Sequence, residues 1–159
     1  MTAMTDSEIK ARLAGLGLVL PEPARPVSSY VSVVVSGSMA HVAGQLPFID
    51  GELVKGRLGE DMTIEQGYEA AKASGLMILA QLNAALGSLS RVERVVKLGA
   101  FVTSTPDFTD QPRVANGASE LMVAVLGEAG RHARSAVGVP ALPLGAAVEV
   151  DAIVAICPD

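Results

Sequence analysis

Apolar residues along this chain recur in two registers, one repeating every second position and the other every three to four, and the switches between them predict the elements. The clearest run of the first kind lies near the C-terminus. There a period of two sends Val148, Val150, Ala152 and Val154 to one face of a strand and Glu149, Asp151 and Ile153 to the other, so two carboxylates share a face. Residues 132–139 have a similar small and β-branched character, with Arg134 near their start, and a Pro-rich bend (Pro140, Pro143) joins the two runs. Upstream, residues 30–35 and 39–43 pair around Ser36-Gly37-Ser38 as a hairpin. The second of these strands delivers Gly44-Gln45-Leu46-Pro47, where a glycine either forms a bulge or leaves backbone groups open to a ligand. Asp50-Gly51 marks a further tight hairpin, and residues 92–103 read as a long strand.

The helical register appears twice at length. Thr63 and Gln66 form a capping box, after which Ala71, Leu76, Leu79, Ala80, Leu82 and Leu86 make an apolar stripe that Gly87 ends. A second helix runs through Asn116-Gly117-Ala118-Ser119 to about Leu126, before Gly127 and Gly130. A short first helix, capped by Ser7 or Asp6 and running through Ala14, leads into a Pro-rich connector over residues 20–26. The order hairpin, helix, strand, helix, two strands predicts an α+β fold with both main helices on one face of a mixed, mostly antiparallel sheet. Residues 1–26 are expected to form an N-terminal helix and connector, and 27–159 a single domain.

Composition sharpens this picture. Half of the 159 residues are apolar but only 3 % are aromatic, with no Trp, so the core is built from Val, Ala, Leu and Ile, and the apolar surplus predicts oligomerisation. The net charge of −5 comes with scattered basic residues, leaving no electrostatic footprint for nucleic acid. No apolar stretch approaches the ~18 residues of a membrane span. The charged start (Asp6, Glu8, Lys10, Arg12) lacks the apolar core of a secretory leader, so a cytoplasmic location is expected. Cys157 stands alone, which excludes an internal disulfide framework, and His41 and His132 have no ligand-spaced partners, so no metal is expected.

The chemistry-bearing candidates are therefore few. Arg134 presents a planar fork of donors that is charged at any ordinary pH and matches a carboxylate bidentately. If its strand and that of Glu149 and Asp151 lie in one sheet, guanidinium and carboxylate can meet on an apolar wall. The plainer alternative is a strand-to-strand ion pair, or an arginine on the surface.

Several of these stretches, in order, resemble one family. Ala133-Arg134-Ser135-Ala136-Val137, Leu142-Pro143, Val148-Glu149-Val150-Asp151-Ala152-Ile153, Gly44-Gln45-Leu46-Pro47 and Tyr30 are similar to the YjgF/RidA (L-PSP) family, over residues 30–156. The extended N-terminus, Asn116-Gly117-Ala118-Ser119 and Gly130-Arg131-His132 resemble a longer subgroup of that family, most of whose members have no assigned reaction. The resemblance implies a chorismate-mutase-like fold, a homotrimer with three clefts between subunits, and cofactor-free hydrolysis of enamines and imines to 2-oxo acids and ammonia. It further implies that Arg134 binds a substrate carboxylate, Glu149 orients water, Tyr30 contributes its ring and Gly44 its backbone. Two positions depart from the deaminase branch, where Ser precedes the glycine and Cys lies two after the arginine; here they are Ala43 and Ala136, which makes the substrate pocket more apolar. A non-catalytic ligand-binding trimer is the alternative, and single-strand RNA cleavage ranks last, because three Phe, two Tyr, a net charge of −5 and no basic stripe provide poorly for stacking and backbone neutralisation.

Overall fold

The computed structural model describes residues 3–158. Helix α1 (Asp6–Gly15) is followed by strands β1 (Val33–Ser36), β2 (Met39–Gln45), β3 (Phe48–Ile49) and β4 (Glu52–Leu53), helix α2 (Ile64–Leu86), strand β5 (Val92–Thr103), helix α3 (Gln111–Leu126), and strands β6 (Ala133–Val139) and β7 (Val148–Ile156). The main sheet has the order β1-β2-β7-β5-β6, and β3 and β4 form a separate hairpin. Only β5 and β6 run parallel; α3 is the crossover that such a pair requires. The expected α+β architecture, with α2 and α3 on one sheet face, is the one observed.

Most elements follow from local chemistry. Thr63 accepts from the Gln66 N–H at 3.1 Å while Gln66 accepts from the Thr63 N–H at 2.9 Å, closing the box that starts α2. Gly87 ends this helix at φ 82°, a left-handed conformation open to glycine without penalty. Asp50 (φ 51°) and Gly51 (φ 80°) supply the two positive φ angles of a twist-matched hairpin turn. Along β7 the alternation is complete: Val148, Val150, Ala152, Val154 and Ile156 are buried and the intervening residues half-buried.

Two boundaries differ from expectation. The cap of α1 is Thr5, not Ser7 or Asp6, because Thr5 and Glu8 complete a reciprocal box at 3.2 and 2.7 Å. The first strand begins at Val33 rather than Tyr30. Its ladder ends at Val33 opposite Val42, where β2 bulges before Gln45, so Tyr30 lies outside the sheet.

The core lies between the helices and the sheet, with Leu79, Leu82, Leu98, Val102, Met122 and Val150 fully buried. Among the described residues no helix lies over the opposite sheet face. The register places Val34, His41, Ile153 and Lys97 in one row there, and Glu149, Phe101 and Val137 in another. Val34 and Val137 are 51 % and 47 % exposed on this face. A strand face that carries valines and a phenylalanine in water marks a surface suited to another protein chain.

Candidate functional site

The β2 bulge brings two distant stretches together. At Gly44 a Cβ would lie 2.7 Å from Cδ of Glu149 and 2.8 Å from its Oε2, so only glycine lets the carboxylate lie flat against the strand. Glu149 and Gly44 line a cavity of about 120 Å³ with Tyr30, Ser32, Arg25 and Leu144. The bulge is held from behind: Gln45 Nε2 donates to the Ala43 carbonyl at 3.0 Å, and Gln81 Nε2 donates to Gln45 Oε1 at 3.2 Å and to the Ala24 carbonyl at 2.7 Å. Gln45 and Gln81 are both 5 % exposed, so this relay is a satisfied buried network that pins the N-terminal connector over the cavity.

Burial, and then the neighbouring Asp151, hold the Glu149 carboxyl above the usual glutamate range. Burial also raises Asp151, against the opposing effects of a hydrogen bond from the Gly99 N–H and the charge of Lys97. Asp151 leans over Gly99, where a Cβ would overlap its carboxylate. A carboxyl whose proton is held more tightly in the folded chain loses stability as pH rises through its folded value. Glu149→Gln is therefore expected to fold and to melt higher than wild type at neutral pH. The difference should vanish as pH falls below the 4.5 of an unperturbed glutamate, and a thermal melt series across pH measures it.

Arg134 lies elsewhere. It pairs in register with Leu98, which in turn pairs with the buried Ala152, so it faces the helix layer while Glu149 faces the open side. Strand β5 also separates the two. Within one chain they do not meet, and no ion pair with Glu149 or Asp151 forms either. Instead Nη1 donates to Asn116 Oδ1 at 2.9 Å and to Ser119 Oγ at 3.0 Å, and Nη2 donates to the Pro112 carbonyl at 3.3 Å. Two of the five guanidinium hydrogens, on Nε and Nη2, have no partner among the described residues, and Arg134 lines a groove of about 690 Å³. Ala136, two residues on, is half-buried on the same side of β6.

The structure thus brings Tyr30, Gly44 and Glu149 to one cavity, with Ala43 next along the bulge but not in its lining, and leaves Arg134 and Ala136 at the sheet edge. It adds residues that sequence spacing did not single out: Asn116 and Ser119 as holders of the guanidinium, and Leu144, whose φ of 61° puts a non-glycine residue in the left-handed region at the cavity wall. The helical spacing of Asn116 and Ser119, three apart and so on one face, was the available signal for the first two.

The family model described as "YjgF/chorismate-mutase-like, putative endoribonuclease" matches residues 10–155. The chain belongs to the YjgF family. Protein TCP17 of Trypanosoma cruzi is 53 % identical over 156 residues, spanning 97 % of this chain and 98 % of that protein. The crystal structure of Atu1372 from Agrobacterium tumefaciens, a protein of unknown function, superposes with a TM-score of 0.90 at 47 % identity, covering 96 % of this chain and 94 % of that one. RidA from the Antarctic bacterium Psychrobacter is 31 % identical with a TM-score of 0.59, covering 98 % and 99 %.

The site in this YjgF-family chain is sparse. The Glu149 cavity is lined by a carboxylate, a tyrosine, a serine and an arginine among mostly apolar residues, and Ala43 is not in its lining. No cluster of His, Cys, Asp and Glu suited to a metal ion occurs among the described residues. No helix among them is long and apolar enough to cross a membrane.

Proposed function

We propose that the protein hydrolyses small imino acids to 2-oxo acids and ammonia, in clefts formed where the Glu149 cavity of one copy meets the Arg134 groove of the next in a homotrimer. The observation that carries this reading is the raised, half-buried carboxyl of Glu149 set against Gly44 at the border of an uncovered apolar sheet face. A second copy covering that face would exclude water from the cavity. It would also bring to Glu149 the arginine that its own chain holds on the other side of the sheet.

The chemistry asks little of the protein. Arg134 fixes the substrate carboxylate, and the imine nitrogen carries a proton. Water adds to the C=N carbon while the Glu149 carboxylate takes its proton; the resulting carbinolamine passes a proton to nitrogen, the C–N bond breaks, and ammonia leaves the 2-oxo acid. A carboxyl raised toward the working pH serves such proton transfers better than an ordinary one. Positioning supplies the rest, because iminium hydrolysis is already rapid in water. Glu149→Gln should bind a 2-oxo acid as wild type does and slow turnover of enzymatically generated imino acids by about 100-fold or more, the scale of one general base. Unchanged turnover would remove Glu149 from the mechanism.

The trimer is testable separately. Light scattering should return three times the 16.3 kDa chain mass. A monomer at micromolar concentration would leave the two half-sites unjoined.

A second reading has one specific observation behind it. With alanine at 43 and 136 the site lacks two hydroxyl or thiol groups of the deaminase branch, which suits a trimer that binds a carboxylate ligand without turning it over. Ligand binding by calorimetry with no acceleration of imine hydrolysis over buffer would select that reading. RNA cleavage is not favoured: the net charge is −5, and no Phe, Tyr or Trp lines the groove of Arg131 and Arg134.

A further inference from the structure

The groove that receives Arg134 contains a second arrangement, in which Ser119 meets a base besides holding the guanidinium. His132 Nδ1 lies 2.6 Å from the Gly130 carbonyl, and since a carbonyl oxygen can only accept, Nδ1 carries the hydrogen. In the neutral ring Nε2 is then a bare lone pair, and it lies 2.8 Å from Oγ of Ser119. The serine hydroxyl donates to that nitrogen and accepts from Arg134 Nη1 at 3.0 Å. A hydroxyl, a base within hydrogen-bond reach, and a third group that fixes the tautomer of the base is the arrangement that activates serine nucleophiles. A main-chain carbonyl here stands where a carboxylate often does.

The frame around these groups is rigid. Gly130 packs so tightly on the backbone of Met122 that a Cβ would overlap it, which fixes the carbonyl that orients His132. Ser119 sits in the middle of α3 and points into the groove, which is open to solvent along Val123, Ala124 and Arg131. Charge defines what would enter. Arg131, whose Nε is paired with Glu128 at 2.9 Å and whose Nη groups have no partner among the described residues, lines the groove with Arg134. Glu120 of its wall is bound by the hydroxyl of Tyr68, whose own pKa this bond pushes up to about 12.

We propose that Ser119 and His132 form an acyl-accepting pair for small esters that carry a carboxylate. Ser119 Oγ forms a bond to the ester carbonyl carbon and its proton passes to His132 Nε2. As Oγ becomes an ester oxygen, the Arg134 Nη1 hydrogen it accepted at 3.0 Å turns to the oxyanion that develops beside it. The bond from carbon to the alkoxy leaving group breaks and Nε2 returns the proton to that oxygen. Water then repeats the sequence on the acyl-serine, releasing the acid and regenerating the hydroxyl.

A fluorophosphonate probe with full-length protein tests this, because it phosphonylates activated serines with loss of fluoride and leaves ordinary ones untouched. One adduct per chain is expected, placed on Ser119 by fragmentation of the wild-type protein, so that the result does not depend on a variant folding. His132→Gln should slow labelling by about 100-fold, the contribution of one general base, at an unchanged melting temperature. The mono-4-nitrophenyl ester of succinic acid should be cleaved at least 10-fold faster than 4-nitrophenyl acetate, with Arg131→Gln removing that preference. Absence of an adduct on Ser119, or equal labelling of wild type and His132→Gln, would overturn the proposal and reduce the network to a holder of Arg134. Neither result bears on imine turnover, whose own test is Glu149→Gln.

Discussion

Gly117→Ala should be among the most damaging single substitutions in this chain, although alanine is the better helix former by about 1 kcal/mol. Gly117 lies on the face of α3 that meets α2, where an added Cβ would overlap the Tyr68 carbonyl and approach the Lys72 amide to 3.0 Å. Both are main-chain atoms of a 23-residue helix, so no side-chain rotation relieves the clash and the two helices must part. The Tyr68–Glu120 hydrogen bond and the packing of Ala118 and Leu121 beside Gly75 would be disturbed along with it. Overpacking at a rigid contact costs on the order of 3 kcal/mol, which lowers the melting temperature of a domain this size by about 6–12 °C. Gly15→Ala, with nothing within 4 Å of the new methyl, is the control and should leave stability unchanged or raised. Equal melting of wild type and Gly117→Ala would show that the helix pair can open without cost.

What could be read from the sequence divides along the range of the interactions involved. The capping box at Thr63, the glycine stop at Gly87 and the alternation of β7 are set within a few residues, so local pattern contains them. The same holds for the Asp50-Gly51 turn. The Thr5 cap is equally local: Thr5-x-x-Glu8 is a capping-box pair, and Asp6 and Ser7 beside it are polar residues that mimic a cap without the glutamate three positions on. Parity along one strand, by contrast, says nothing about parity between strands. Period two alone puts Glu149 and Asp151 on one face of β7; whether Arg134 shares it depends on the parallel register of β6 with β5, which the α3 crossover fixes over the intervening residues. That long-range register turns Arg134 toward Asn116 and Ser119 and away from Glu149. The Ser119–His132 contact escaped for the same reason, since a helix face and a loop 13 residues on meet only once the crossover is built.

The same geometry makes Arg134→Ala the most consequential change to binding. Asn116, Ser119 and the Pro112 carbonyl take three guanidinium hydrogens and leave those on Nε and Nη2 for a ligand, so the fork is pre-oriented and little order is lost on binding. Its three partners are half-buried or exposed and can be rehydrated when the arginine is removed, so the fold should survive. Arg134→Ala is therefore expected to abolish binding of pyruvate or 2-oxobutanoate measurable by calorimetry, with the thermal melt and the assembly mass unchanged. Arg134→Lys keeps the charge but presents no fork and cannot reach all three partners at once. Affinity should fall by about 1–3 kcal/mol, the range for charge-assisted hydrogen bonds. Asn116→Ala tests the orientation itself: the charge and the fork remain, but one holder is gone, so a smaller loss is expected than in Arg134→Lys. If wild type and Arg134→Ala bound these acids equally, the anchor would lie elsewhere. Arg25, at the wall of the Glu149 cavity, would then be the next guanidinium to replace.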